Sequence, residues 1–211
     1  PALYFGGLTW ALHRSADPVS EKTETVCFPR DGFMLDCSRN SVFTTETVKA
    51  MIRKLARIGM NLLMLYTEET YEVPGEPYFG IYRGRYSREE IREMDDYAQI
   101  FGIELVPCIQ TLAHLRNALK WPLGKDIKDT EDILMVGEEK VYDFIEELLV
   151  AVKDSFSTRR VHLGMDEAAQ LGLGEYLKKN GYRESAKLMK EHSARVFAIC
   201  QKLGLTPMIW S

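Results

Sequence analysis

The residues with the clearest chemical potential close a short apolar run: His162, Leu163, Gly164, Met165, Asp166 and Glu167. Read as a strand with a period of two, His162, Gly164 and Asp166 point to one side and Leu163 and Met165 to the other. The polar set then faces the mouth of the fold and the apolar set its outer layer, with Glu167 at the bend where the strand ends. Two carboxylates held side by side repel each other's charge, so one of them is expected to keep a proton, which suits general acid catalysis near neutral pH. The same pair also fits a helix start, because Asp favours the N-cap and Glu the first turn. Spacing alone leaves both readings open.

Other polar residues follow apolar runs in the same way. Arg39 stands after Asp36, Cys37 and Ser38; Glu68 and Glu69 come after Tyr66; His114 follows Ile109; and Trp210 closes the last run. Each has a plainer alternative. Arg39 could be a structural cation paired with Asp36, His114 and His162 could be core histidines, and Trp210 could pack inside the fold, although a Trp at a strand end also offers a flat wall for a sugar ring. His192 lies on an apolar helix face and is read as core. A metal-dependent hydrolase built on His114, His162 and Asp166 lacks any HxH or HExxH pair, so no metal or cofactor is expected. Trp10 and His13 stand in an opening segment with no assigned role.

The elements that must position these residues alternate in type. Short apolar runs at Phe33 to Cys37, Asn61 to Tyr66, Ile103 to Ile109, Arg160 to Gly164 and Thr206 to Trp210 read as strands. Their continuous apolar character suits strands covered on both faces. Between them come four helical patterns. Val48, Met51, Ile52, Leu55 and Ile58 share one face, with Gly59 as a stop. Ser87 and Glu90 form a capping box ahead of Ile91, Met94, Ala98 and Phe101, and Gly102 ends that helix. Val141, Phe144, Ile145, Leu148, Leu149 and Val152 mark the third; Leu188, His192, Val196, Ile199 and Leu203 mark the fourth, before Gly204.

The segments Thr67 to Tyr86, Thr111 to Val136 and Asp166 to Gly181 are long, and loops of that size are usually functional or carry short elements of their own. Strand–helix alternation predicts α/β architecture with a parallel sheet. The expected fold is a (β/α)8 TIM barrel, of which this chain covers about strands one to five, since a whole barrel takes about 250 residues. A doubly wound sheet is the alternative, but no Gly-rich phosphate loop follows the first strand. Residues 31–211 are assigned to the barrel and residues 1–30 to an irregular N-terminal segment or the remnant of a preceding domain.

The chain of 211 residues is 45% hydrophobic and 27% charged, with 27 basic against 31 acidic residues and a net charge of −4. The signs are interspersed, so neither a nucleic acid nor an anionic membrane surface is an expected partner. The longest apolar runs fall far short of the roughly 20 residues that span a bilayer. Cys27, Cys37, Cys108 and Cys200 show no CxxC spacing, and three lie in apolar runs, so reduced structural thiols are expected. No leader is visible, which leans toward a cytoplasmic location.

Taken together these residues resemble family 20 of the glycoside hydrolases, the β-N-acetylhexosaminidases. His162 to Glu167 is similar to that family's strand-four signature, and Leu35 to Arg39 resembles its first-strand motif. The resemblance implies that Arg39 grips hydroxyls of the terminal sugar, that His114 orients the acid and that Trp210 lines the pocket. The family's Asp pair after the second strand is replaced here by Glu68 and Glu69; Glu68 is expected to take over the partnership with His114. What the resemblance further implies is a retaining, substrate-assisted cleavage of a carbohydrate ending in an N-acetylhexosamine. Glu167 would be acid and base, and Asp166 would orient the acetamido group. Geometry agrees: an ordinary retaining pair sits about 5 Å apart on opposite faces of the sugar, which neighbours at one strand end can hardly achieve. Two alternatives stay open, a barrel glycosidase with a protein nucleophile further along and a carbohydrate-binding relative without turnover.

Overall fold

The computed structural model describes residues 2–13 and 27–210. Its centre is a five-stranded parallel sheet in sequential order, β1 (Gly32–Asp36), β2 (Leu62–Tyr66), β3 (Glu104–Cys108), β4 (Arg160–His162) and β5 (Thr206–Met208). Helices α2 (Thr45–Arg57), α3 (Arg88–Ile100), α6 (Glu139–Ser155) and α8 (Ser185–Leu203) connect successive strands. This is the progression of a (β/α)8 barrel through its fifth strand.

Local chemistry explains the boundaries. Thr44 caps α2 by accepting the Thr47 N–H, and the capping box of α3 is complete, with Ser87 bonded to the Glu90 N–H and Glu90 bonded back to the Ser87 N–H. Gly204 ends α8 in the left-handed conformation, which costs glycine nothing. Val48, Ile52 and Leu55 bury one face of α2. Ile58 departs from the expected stripe and is exposed, because α2 ends at Arg57 and the chain leaves helical phase there. On α6 the whole expected set from Val141 to Val152 is buried.

Leu35, Leu63, Leu65 and Leu105 meet the helices in one continuous core. Full coverage of both strand faces, expected for every strand, holds inside the sheet and fails at its edges, where Phe33, Ile209 and Trp210 are exposed. Two strands stop well before the apolar runs end, β4 at His162 and β5 at Met208.

Part of the opening segment is helical: Ala2–His13 forms helix α1, whose Phe5 ring lies 5.2 Å from that of Phe101. Its sequence is apolar nearly all round with no acidic first turn, so no amphipathic period marks it. Trp10 falls on this helix. No helix among the described residues is long and apolar enough to cross a membrane.

Two of the three long loops carry short helices, α4 (Arg116–Leu119) and α5 (Gly124–Ile127) after β3 and α7 (Glu175–Asn180) after β4, while the loop after β2 has only turns and an isolated Tyr71–Tyr86 bridge. Asp129 ties them together. Its buried carboxylate accepts the N–H groups of Gly172 at 2.7 Å, Gly174 at 3.1 Å and Tyr176 at 2.8 Å. Cys37, Cys108 and Cys200 are fully buried, and burial pushes their thiols to about 11, 12 and 11, far from the reactive thiolate range.

Candidate active site

The strand register brings Asp36, Tyr66, Cys108, His162 and Met208 into one row near the carboxyl ends of the strands. Barrel enzymes build their sites above such a row.

Asp166 and Glu167 reach that face by a different route from the one expected. The pleat ends at His162, and the chain then turns left-handed, with φ of 71° at Gly164, 71° at Met165 and 53° at Glu167. Strand alternation therefore does not aim Asp166; the turn does. The partition it was expected to produce still arises, since Leu163 and Met165 are buried in the core while the Asp166 side chain is 27% exposed and that of Glu167 76% exposed. The helix-start reading fails, because α7 begins only at Glu175. Among the described residues four non-glycine positions have positive φ, and Met165, Glu167 and His114 are three of them. Each costs on the order of 1–3 kcal/mol, and strain of this kind survives only where surrounding bonds hold it.

Those bonds are present. The Gly164 N–H donates to His162 Nδ1 at 3.1 Å, the Met165 N–H to Gln110 Oε1 at 3.3 Å, and the Trp210 N–H to the Gly164 carbonyl at 3.2 Å. Gly164 itself is required by packing, since a Cβ there would lie 2.0 Å from Gln110 Oε1.

His114 stands between the two acids. Its Nε2 is 3.5 Å from Asp166 Oδ2 and 3.4 Å from Glu167 Oε2, within ion-pair range and longer than a well-formed hydrogen bond. That nitrogen is shielded from solvent and has no hydrogen-bond partner. An imidazole so placed can steady a proton or a charge on either carboxylate.

Glu68 corrects an expectation. Rather than partnering His114, it accepts the Tyr66 hydroxyl at 3.1 Å and the Arg39 Nε at 3.5 Å. Tyr66, two residues earlier, captures the carboxylate first. Glu69 is buried and paired with Arg83 Nε at 2.7 Å; burial raises its carboxyl and Arg83 opposes the shift. Arg39 does not form the side-chain pair with Asp36 either. The Asp36 carboxylate closes a turn, accepting the Ser38 N–H and hydroxyl and the Arg39 N–H; these outweigh the upward push of burial and hold it below its usual range. The Arg39 guanidinium lies 5.7 Å from the centre of the Tyr66 ring, and 55% of the side chain is exposed, leaving it available to a ligand.

His162 is buried, its Nδ1 is engaged, and its ring lies 4.5 Å from that of Trp210. Burial lowers its pKa and the Asp166 charge works the other way; the ring backs Trp210, a residue that is 43% exposed. His192 is the core histidine expected, with Nε2 2.8 Å from the Thr111 carbonyl. The residue that sequence reasoning missed is Gln110. Fully buried, its Nε2 donates to Asp166 Oδ1 and to the Tyr66 hydroxyl oxygen, each at 3.0 Å. The available signal was a lone amide at the end of the apolar run Val106–Ile109, directly before the loop that carries His114.

His114, Asp166 and Glu167 present three potential metal-ligand atoms within 4.8 Å of one another. The set considered from sequence included His162, which stands outside this cluster. The same three atoms also form a proton-transfer set, which requires no ion.

Five sequential parallel βα units with an adjacent acid pair in the turn after the fourth strand form the front of a (β/α)8 barrel with a candidate acid site at the carboxyl ends of its strands. Residues 28–211 match the glycosyl hydrolase family 20 catalytic domain, and the chain belongs to that family. Among curated proteins it is 24% identical to beta-hexosaminidase A of Caenorhabditis briggsae, across 87% of this chain and 38% of that protein. It is 25% identical to human hexosaminidase D, across 72% of this chain and 33% of that protein. The chain thus spans well under half the length of these relatives. Its fold matches an exo-β-N-acetylglucosaminidase from Vibrio harveyi, solved with N-acetylglucosamine, at a TM-score of 0.78 and 21% identity over 88% of this chain and 36% of that one. A β-N-acetylhexosaminidase from Bacteroides fragilis matches at 0.72 and 27% identity over 85% and 40%.

Proposed function

We propose that this chain carries the acid pair of a retaining exo-glycosidase that removes a terminal N-acetyl-β-D-hexosamine, with the substrate's own acetamido oxygen as nucleophile. The observation that carries the reading is the convergence of Asp166 and Glu167 on one imidazole, His114. Two acids drawn to one nitrogen do not face each other across a sugar ring, as a nucleophile and an acid must. One acid and one anion are what acetamido participation requires.

In this reading Glu167, on the exposed side of the turn, protonates the leaving oxygen as the acetamido oxygen bonds to the anomeric carbon. It then takes a proton from the water that opens the cyclic intermediate. Asp166 accepts the acetamido N–H and balances the positive charge developing on the oxazolinium ring, an effect that preorganised charges supply best. His114 steadies both carboxylates. Arg39, held by Glu68, donates to hydroxyls of the terminal sugar, and Trp210 stacks against its apolar face with His162 behind it. The likeness to beta-hexosaminidases and to the solved N-acetylglucosaminidase and N-acetylhexosaminidase supports an N-acetylhexosamine substrate.

The test is hydrolysis of a chromogenic N-acetyl-β-glucosaminide by the intact protein and its Glu167→Gln variant, with the matching β-glucoside as control. Cleavage of the N-acetyl substrate alone, lost in the variant, is the expected result. Equal cleavage of both substrates contradicts the proposal.

A further inference from the structure

Gln110 is completely buried, an unfavourable place for a carboxamide unless every polar group finds a partner. Its partners define a direction. The Tyr66 hydroxyl hydrogen goes to Glu68 Oε1, so the Tyr66 oxygen is left to accept from Gln110 Nε2. The second Nε2 hydrogen goes to Asp166 Oδ1, while Oε1 accepts the Met165 N–H. Reversing the amide would set Oε1 against two acceptors and the NH2 group against the Met165 N–H, so only one orientation satisfies all three contacts. In that orientation Asp166 Oδ1 can only accept. Glu167 receives no comparable donor among the described residues; its carboxylate lies 3.4 Å from His114 Nε2, an atom it shares with Asp166.

We infer that Gln110 is a positioning residue that holds Asp166 as the hydrogen-bond acceptor and anion of the pair, leaving the transferable proton to Glu167. This rests on the glycosidase reading above and adds to it the residue that holds Asp166 in its assigned role. The same carboxamide grips the turn that presents both acids, through the Met165 N–H and the close approach to Gly164. The planar carboxamide offers its donors and its acceptor together at any pH. A carboxylate supplies acceptors only, and Met fills the space with neither.

The experiment is a kinetic double-mutant cycle in the intact protein, with circular dichroism to check that each variant is folded. Gln110→Met is expected to lower kcat about 10²-fold with little change in KM, the scale of a misplaced reacting group. Combined with Asp166→Asn, it should cost nothing further, the double variant staying within about twofold of Asp166→Asn alone. Gln110→Glu adds a readout that packing alone would not move: activity should recover as pH falls, because the introduced carboxyl, once protonated, can again donate to Asp166. Multiplicative losses in the double variant, or a pH-independent loss in Gln110→Glu, would overturn the inference. If the unmutated protein cleaves no N-acetyl glycoside, the glycosidase reading fails separately. The same cycle read as urea midpoints then decides on Gln110: non-additive shifts support its hold on Asp166, and additive shifts refute it.

Discussion

Replacing Gly164 with Ala tests how far the acid pair depends on a single backbone position. At φ of 71° an L-residue is strained, at a cost of roughly 1–2 kcal/mol. The new Cβ would also lie 2.0 Å from Gln110 Oε1 and 2.5 Å from its Cδ, and Gln110 is walled in by the core. Overpacking of this kind adds roughly 1–3 kcal/mol. The expected loss is then about 2–5 kcal/mol, which in a domain of this size lowers Tm by on the order of 10 °C. Function should suffer more than stability, because relief of the clash pushes the carboxamide off both Asp166 and the Met165 N–H. Thermal unfolding followed by circular dichroism measures the first effect, and kcat on an N-acetyl-β-glucosaminide at a temperature where the variant is folded measures the second. An alanine variant with unchanged Tm and unchanged kcat would refute the close packing of Gly164 on Gln110.

Removing the Asp129 carboxylate with Asp129→Ala strands three N–H groups and should cost about 2–4 kcal/mol, with faster amide exchange at Gly172, Gly174 and Tyr176; protection at the wild-type level would count against the clamp. His192 is held neutral by burial, its pKa pushed down to about 4 from 6.5, with the Thr111 carbonyl and Glu191 opposing and Arg195 assisting. Below 6.5 the unfolded chain binds a proton that the folded one refuses, so this contribution is complete above 6.5 and is lost as pH falls toward 4, amounting to about 3 kcal/mol. Tm measured across that range should fall, and His192→Gln should flatten the slope. Arg39→Met should raise KM at least tenfold with a smaller change in kcat, because the exposed guanidinium is assigned to ground-state sugar contacts; an unchanged KM would return Arg39 to a structural role.

Much of the architecture was legible because parallel strands and amphipathic helices leave periodic signals. The Ser87–Glu90 box and the apolar stripe of α6 reappear residue for residue, while α3 and α8 bury Ile91, Met94, Ala98, Leu188, His192 and Val196 and leave Phe101, Ile199 and Leu203 half-buried. Helix α1 was hidden because it is apolar on every side, and the ends of β4 and β5 because apolar character continues after the ladder stops. At the site, Arg39, His114, Asp166 and Glu167 carry groups whose chemistry announces itself. Gln110 does not, since an uncharged amide becomes informative only when its partners are known. Glu68 shows the complementary limit. Its carboxylate was recognised, but the choice between His114 and the Tyr66–Arg39 pair depends on register across β1 and β2, which no local pattern encodes.

The roles assigned to Asp166 and Glu167 require the acetamido oxygen to be the nucleophile. The most direct measurement is kcat/KM for a series of glycosides whose N-acyl group carries none, one, two or three fluorines, which weaken that oxygen stepwise without changing the leaving group. A steep fall in rate along the series is predicted, and Asp166→Asn, which removes the anion opposite the developing charge, should alter its slope. A rate indifferent to fluorination would place the nucleophile in the protein and contradict the roles assigned to Asp166 and Glu167.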